Sequence, residues 1–153
     1  MKDNCINLIK NARIGISKIM IAQPDEIASS EALLGCAFPL DYKDFIGEVS
    51  NGIAFGRIRI LPVLSKKNLK KTGDSISRNN NINTSIWFNG DSNALSSFLI
   101  FATEESYACF AFKKDSDNSV WYWNINSNTI EQLDYDFWEW LHVTLQQEKD
   151  SIG

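Results

Sequence analysis

The sequence predicts an α+β domain, an antiparallel sheet with helices packed against it. Three observations carry this expectation. Apolar residues recur at helical spacing toward both ends of the chain. The second half holds three segments rich in aromatic and β-branched residues, joined by short turn sequences. No linker and no internal repeat separates these parts, so helices and strands share one layered core. A chain of 153 residues, 44% of them hydrophobic, suits a single domain over 1–153. At this length about 68–70% of the unfolded surface becomes buried, and no disulfide or metal staple is required.

In chain order, Ile6, Ile9, Ile16, Ile19 and Met20 fall near helical spacing over 4–22, although Gly15 and the β-branched run weaken that helix. Pro24-Asp25-Glu26 opens a second helix, with Ile27, Leu33 and Leu34 on its apolar side. Gly35 can take the left-handed conformation that ends it. Pro39, with its locked φ and no amide proton, suits the first turn of a third helix. Asp41 and Asp44 complement that helix's N-terminal dipole, and Tyr42, Phe45, Ile46 and Val49 share one side. Asn51-Gly52 breaks the helix.

The period then changes. Arg57-Ile58-Arg59-Ile60-Leu61 alternates charged and apolar, as a half-buried strand ending at Pro62 does. Residues 65–83 are polar, and predict a short exposed helix near Ser65–Lys71 followed by a mobile loop through Asn79-Asn80-Asn81. Ser97–Thr103, Tyr107–Lys113 and Val120–Ile125 read as strands joined by hairpin turns at Glu104-Glu105-Ser106 and Asp115–Ser119. Trp121 and Trp123 share a face opposite Tyr122. Thr129–Leu133 adds an edge strand. Asp134 or Asp136 can cap a last helix, with Phe137, Leu141 and Leu145 inward.

The stretch Leu34–Gly52 also carries a resemblance. Leu-Gly-x-x-Phe-Pro-x-Asp-Tyr-Lys-x-Phe followed by Asn-Gly, on Gly35, Pro39, Asp41, Tyr42, Phe45, Asn51 and Gly52, is similar to the signature of the SUKH superfamily. That superfamily takes in fungal cell-wall synthesis regulators and bacterial immunity proteins. The later strands and the Phe-x-x-Trp-Leu helix at Phe137–Leu141 follow the family's order. One departure is Gly52-Ile53, where the family often has Gly-Gly. The resemblance implies a SUKH-like fold and a non-enzymatic immunity protein that binds and neutralises a toxin domain. The alternative it implies is a regulatory scaffold docking protein partners.

Charge and chemistry narrow the function classes. Residues 1–76 hold 11 Lys/Arg and 8 Asp/Glu, whereas residues 77–153 hold 4 and 11. The second half is therefore acidic and suits a basic partner. Glu104, Glu105, Asp115 and Asp117 could imitate phosphates toward a nuclease-type toxin, and Trp138 is a candidate exposed anchor because tryptophan is favoured at binding hot spots. His142 is the sole histidine, and a Ser/His/Asp hydrolase would have to use it, but no Gly-x-Ser-x-Gly elbow occurs. No metal-ligand spacing, cofactor motif or phosphate loop is present, and Asp115–Ser119 lacks the glycine and terminal glutamate of a calcium loop. The basic run Arg57–Arg78 lacks interleaved aromatics, so a solvated face is expected there rather than nucleic-acid binding. Cys5, Cys36 and Cys109 are odd in number and scattered, and no signal peptide or membrane span is read. The expectation is a cytoplasmic chain, without cofactor or membrane contact, that is a monomer or weak homodimer when free.

Overall fold

Seven strands lie side by side in chain order as one antiparallel meander in the computed structural model, which describes residues 1–11, 13–116 and 118–152. The strands are β1 (Ile16–Lys18), β2 (Ile53–Phe55), β3 (Ile58–Ile60), β4 (Phe98–Glu104), β5 (Ala108–Lys113), β6 (Val120–Asn124) and β7 (Ile130–Gln132). The helices are α1 (Lys2–Asn11), α2 (Pro24–Leu34), α3 (Leu40–Glu48), α4 (Leu69–Thr72), α5 (Ile76–Asn79), α6 (Ser92–Ser97) and α7 (Phe137–Ile152). The α+β expectation holds.

The corner after α3 follows the sequence closely. Gly35 ends α2 in the left-handed conformation at φ 67°. Tyr42, Phe45 and Ile46 are fully buried on the inner side of α3. The Tyr42 hydroxyl donates to the Leu61 carbonyl at 2.7 Å. Asn51, also buried, donates from Nδ2 to the Val63 carbonyl and accepts the Val63 N–H at Oδ1, both at 2.9 Å. Gly52 has φ 86°, and a Cβ there would stand 2.6 Å from the Ile60 carbonyl oxygen, so no other residue fits. Ile53, at the place where the family pattern often has a second glycine, is buried and pairs with Ile60 in β3.

The aromatic core sits between the sheet and α7. Phe101 stacks on Phe112 at 4.2 Å, and Trp140 meets Phe101 at 5.0 Å and Phe110 at 4.9 Å. Phe137 joins Tyr42, Phe45 and Phe101. The other face of β4–β6 is covered by the segment after α5. There Trp87 and Phe88 pack on Trp123, and Phe88 packs on Phe98. Phe88 adopts φ 58°, a conformation costing about 1–2 kcal/mol for a side chain of this kind, which its burial offsets. Asp136 and Glu139 form a reciprocal cap on α7, each accepting the other's backbone N–H.

Three expectations need correction. The single helix over 4–22 stops at Asn11, and Ile16–Lys18 forms β1 on the edge of the sheet, because β-branched Ile16 finds a partner in Phe55. The loop at residues 79–81 is tied down rather than mobile. Asn80 bonds the Ile100 N–H and carbonyl, both at 2.8 Å, and Asn79 bonds Asp74 and the Trp87 indole. Leu33 lies on the outer side of α2, 73% exposed.

Gly52→Ala should destabilise the fold by at least about 2 kcal/mol, because it combines left-handed strain with a clash on a strand carbonyl. Asn51→Ala should cost about 2–4 kcal/mol by leaving both Val63 backbone groups unpaired in the interior. Leu33→Ser should stay within about 0.5 kcal/mol of the parent. Urea midpoints at unchanged slope are the measurement.

Candidate functional site

Candidate catalytic groups do not converge. His142 is partly exposed in a shallow groove between α1 and α7, lined by Asn4, Asn7, Leu8, Asn11 and Lys149. No serine, thiol or carboxylate lines that groove. Among the described residues, no group of three or more His, Cys, Asp and Glu could hold a metal ion. The three cysteines are free thiols. Burial pushes Cys5 up to about 12 and Cys109 further in the same direction, so neither is a nucleophile at neutral pH. Cys36, half-buried, is raised less, chiefly by burial and against the pull of Lys114.

The acidic candidates are separated. Glu104 and Glu105 stand at the turn between β4 and β5, whereas Asp115 stands at the turn between β5 and β6. These turns close opposite ends of β5, a strand of six residues and roughly 20 Å. Asp117 lies outside the described residues. Glu105 is also answered within the chain, with Arg57 3.6 Å away. Glu104 pushes the Tyr107 hydroxyl up, against the pull of Arg57. An exposed pair of this kind is worth only about 0–1 kcal/mol, so a basic partner could displace it at little cost.

A second acidic grouping, which sequence spacing did not expose, lies where α3 and α7 begin. Burial and then the neighbouring Asp136 carboxylate push the Asp41 carboxyl up, against a lowering hydrogen bond from Trp138. Asp44 adds to the same repulsion. The two aspartates are 95 residues apart in sequence, and only the crossing of the two helices brings them together.

Trp138 is not an exposed anchor. It is 6% exposed, packed on Phe45 at 6.0 Å and Phe137 at 5.2 Å, with the Lys2 ammonium 5.8 Å over its ring. Both Trp138 and Trp140 are buried because α7 is covered on two sides, by the sheet and by α1 and α3. The basic run is likewise dispersed. Arg57 engages Glu105, and Arg59 engages Asp74 at 2.9 Å. Lys66, Lys67, Lys70 and Lys71 stand exposed on the 3-10 turn Lys66–Asn68 and on α4.

The concave features lie elsewhere. A hollow of about 200 Å³ crosses β1–β3, where small Ser17 and Ala54 stand beside long Arg59 in one cross-strand row. A groove of about 400 Å³ runs between α2 and residues 64–67, bordered by Leu33 and Leu64. Sequence reading missed this surface. Its legible signals were the adjacent apolar pair Met20-Ile21 and, far along the chain, the lysine-rich stretch at residues 66–71.

The fold is an antiparallel meander backed by helices, with open concavities and no cluster of metal-ligating groups among the described residues. A family profile of the SUKH group, described as SMI1-KNR4 cell-wall, matches residues 3–146. The chain belongs to the SUKH superfamily. Membership supports a role of the immunity-protein or cell-wall-regulator type, with a protein as partner. No curated protein matches the chain. Among the described residues no helix is long and apolar enough to cross a membrane.

The buried thiols generate a test. Cys36 should react with a thiol reagent in the native protein, while Cys5 and Cys109 should react only on unfolding. A thiol whose native pKa is raised stabilises the fold fully below its unfolded pKa and loses that contribution as pH climbs past it. Native stability should therefore fall above about pH 9, where unfolded thiols ionise. Cys5→Ser should fall less steeply, as read from urea midpoints taken across that range.

Proposed function

We propose that the protein is an immunity protein that binds a cognate toxin domain of a bacterial polymorphic or contact-dependent system and neutralises it without chemistry of its own. SUKH membership over residues 3–146 is the observation that carries this reading. The acidic second half favours a toxin with a basic cleft, as nucleases have. Glu104 and Glu105 at one end of β5, and Asp115 beyond the other, would meet such a toxin as two separated contacts that steer encounter by long-range attraction. The working compartment on this reading is the cytoplasm, with the free protein a monomer or weak homodimer.

A second reading follows from the family's description as cell-wall regulators: a regulatory scaffold that docks signalling partners. Affinity capture from the native cell and its neighbours separates the two. The immunity reading expects an equimolar toxin fragment, whose toxicity is abolished when both chains are co-expressed. Failure of co-expression to rescue growth from every fragment captured would leave the scaffold reading in place. Given a toxin, reversing Glu104 and Glu105 to Lys, or Asp115 and Asp117 to Lys, should each slow association several-fold at low salt and flatten its salt dependence. Unchanged rates in both variants would remove these carboxylates from the interface.

A further inference from the structure

We propose that the concave side built by residues 18–23, α2 and residues 64–71 docks an acidic, apolar-anchored protein segment. This surface is distinct from the acidic contacts of the toxin reading and does not depend on them.

Four of the large apolar side chains that the fold leaves exposed meet on this side: Met20 (69%), Ile21 (40%), Leu33 (73%) and Leu64 (41%). The groove beside Leu33 and Leu64 and the recess beside Met20 and Ile21 share Gln23, Glu26 and Lys67 in their walls, so the surface is continuous. Asn51 joins the recess to the hollow over β1–β3. Clustered exposed apolar groups of this kind mark interaction sites, whereas scattered ones do not.

Charge decides the partner's sign. Lys66 and Lys67 line the groove, and Lys18 and Lys71 line the hollow, none with an ion-pair partner among the described residues. Across the groove, the recess and the hollow, the walls hold Lys18, Arg59, Lys66, Lys67 and Lys71 against the carboxylates of Asp25 and Glu26. Cations therefore prevail on the rim, and an acidic partner complements them. Ser77 lines the same groove, is 8% exposed, and its hydroxyl has no hydrogen-bond partner. Its oxygen is closed off beneath the groove wall, so recognition rests on the lysines and the apolar rim.

Chemistry and shape favour protein over the other polyanions. None of the three concavities has an aromatic wall, so nucleotide bases would find nothing to stack on. A groove of about 400 Å³ takes protruding side chains, whereas an anionic bilayer presents a plane. Flexible Met20 suits an apolar anchor of variable shape.

The test is an amide chemical-shift titration of the full chain with a short synthetic peptide alternating Glu and Leu. Shifts should map to residues 18–23, 33 and 64–77. Affinity should fall about tenfold in Lys66→Glu/Lys67→Glu and again in Leu33→Ser, both exposed positions that leave folding intact. Any of four results would overturn the proposal. The largest shifts could fall elsewhere. A peptide with Ser in place of Leu could bind as tightly, leaving only unspecific charge. Phosphatidylserine vesicles could bind through these residues while the peptide does not. The same signals could move with protein concentration alone, which would assign the face to a second copy of the chain.

Discussion

Everything in this fold is referred to one joint, where the end of α3 is locked onto the exit of β3. Three stations between Ile60 and Val63 are held. Gly52 lies against the Ile60 carbonyl, the Tyr42 hydroxyl holds the Leu61 carbonyl, and the Asn51 amide holds both backbone groups of Val63. The Tyr42 and Asn51 contacts satisfy backbone groups beyond the end of β3, and the missing side chain of Gly52 permits the close approach. Ser50 extends the joint outward by accepting the Ile19 N–H at 2.9 Å, which places β1 beside β2. The sheet edge, the direction of α3 and the entry into the 64–71 region are thus set by a handful of hydrogen bonds made by Tyr42, Ser50 and Asn51.

From that joint the two faces of the sheet diverge in character. On one, Phe101, Phe110 and Phe112 receive Phe137 and Trp140, and the rings make mostly tilted or edge contacts across a dry layer. On the other, β4–β6 are covered by a short irregular segment whose asparagines replace a missing strand partner, while β1–β3 stay partly open. The open part carries the hollow beside Arg59. Burial of aromatic surface therefore accounts for stability, and the incomplete cover accounts for available surface.

Electrostatics follows topology more than composition. The acidic half of the chain does not make an acidic half of the molecule, because a meander sends successive turns to opposite ends. Glu104 and Glu105 are carried away from Asp115, while Asp41 and Asp136, remote in sequence, repel one another at the crossing of α3 and α7. Lys66 and Lys67 line a groove beside exposed Leu33, which belongs to α2.

The elements whose causes are local were legible beforehand. Gly35, Pro39 and Asn51-Gly52 announce their turns because each residue type has few conformational alternatives, and β4–β6 announce themselves by aromatic alternation between turn residues. The early strand at Ile16–Lys18 was hidden, since three residues cannot display a period and their partner is 37 residues away. Strand β2 was hidden in the same way, its three residues resting on Ile60 and Lys18. Trp138 reads alike as anchor or core until α1 closes over it, and Leu33 reads as core until α2 turns it outward. Local conformational preference is written in the residue itself. Which face is covered, and which charges meet, depends on contacts between distant segments, and these exist only once the chain has closed on itself.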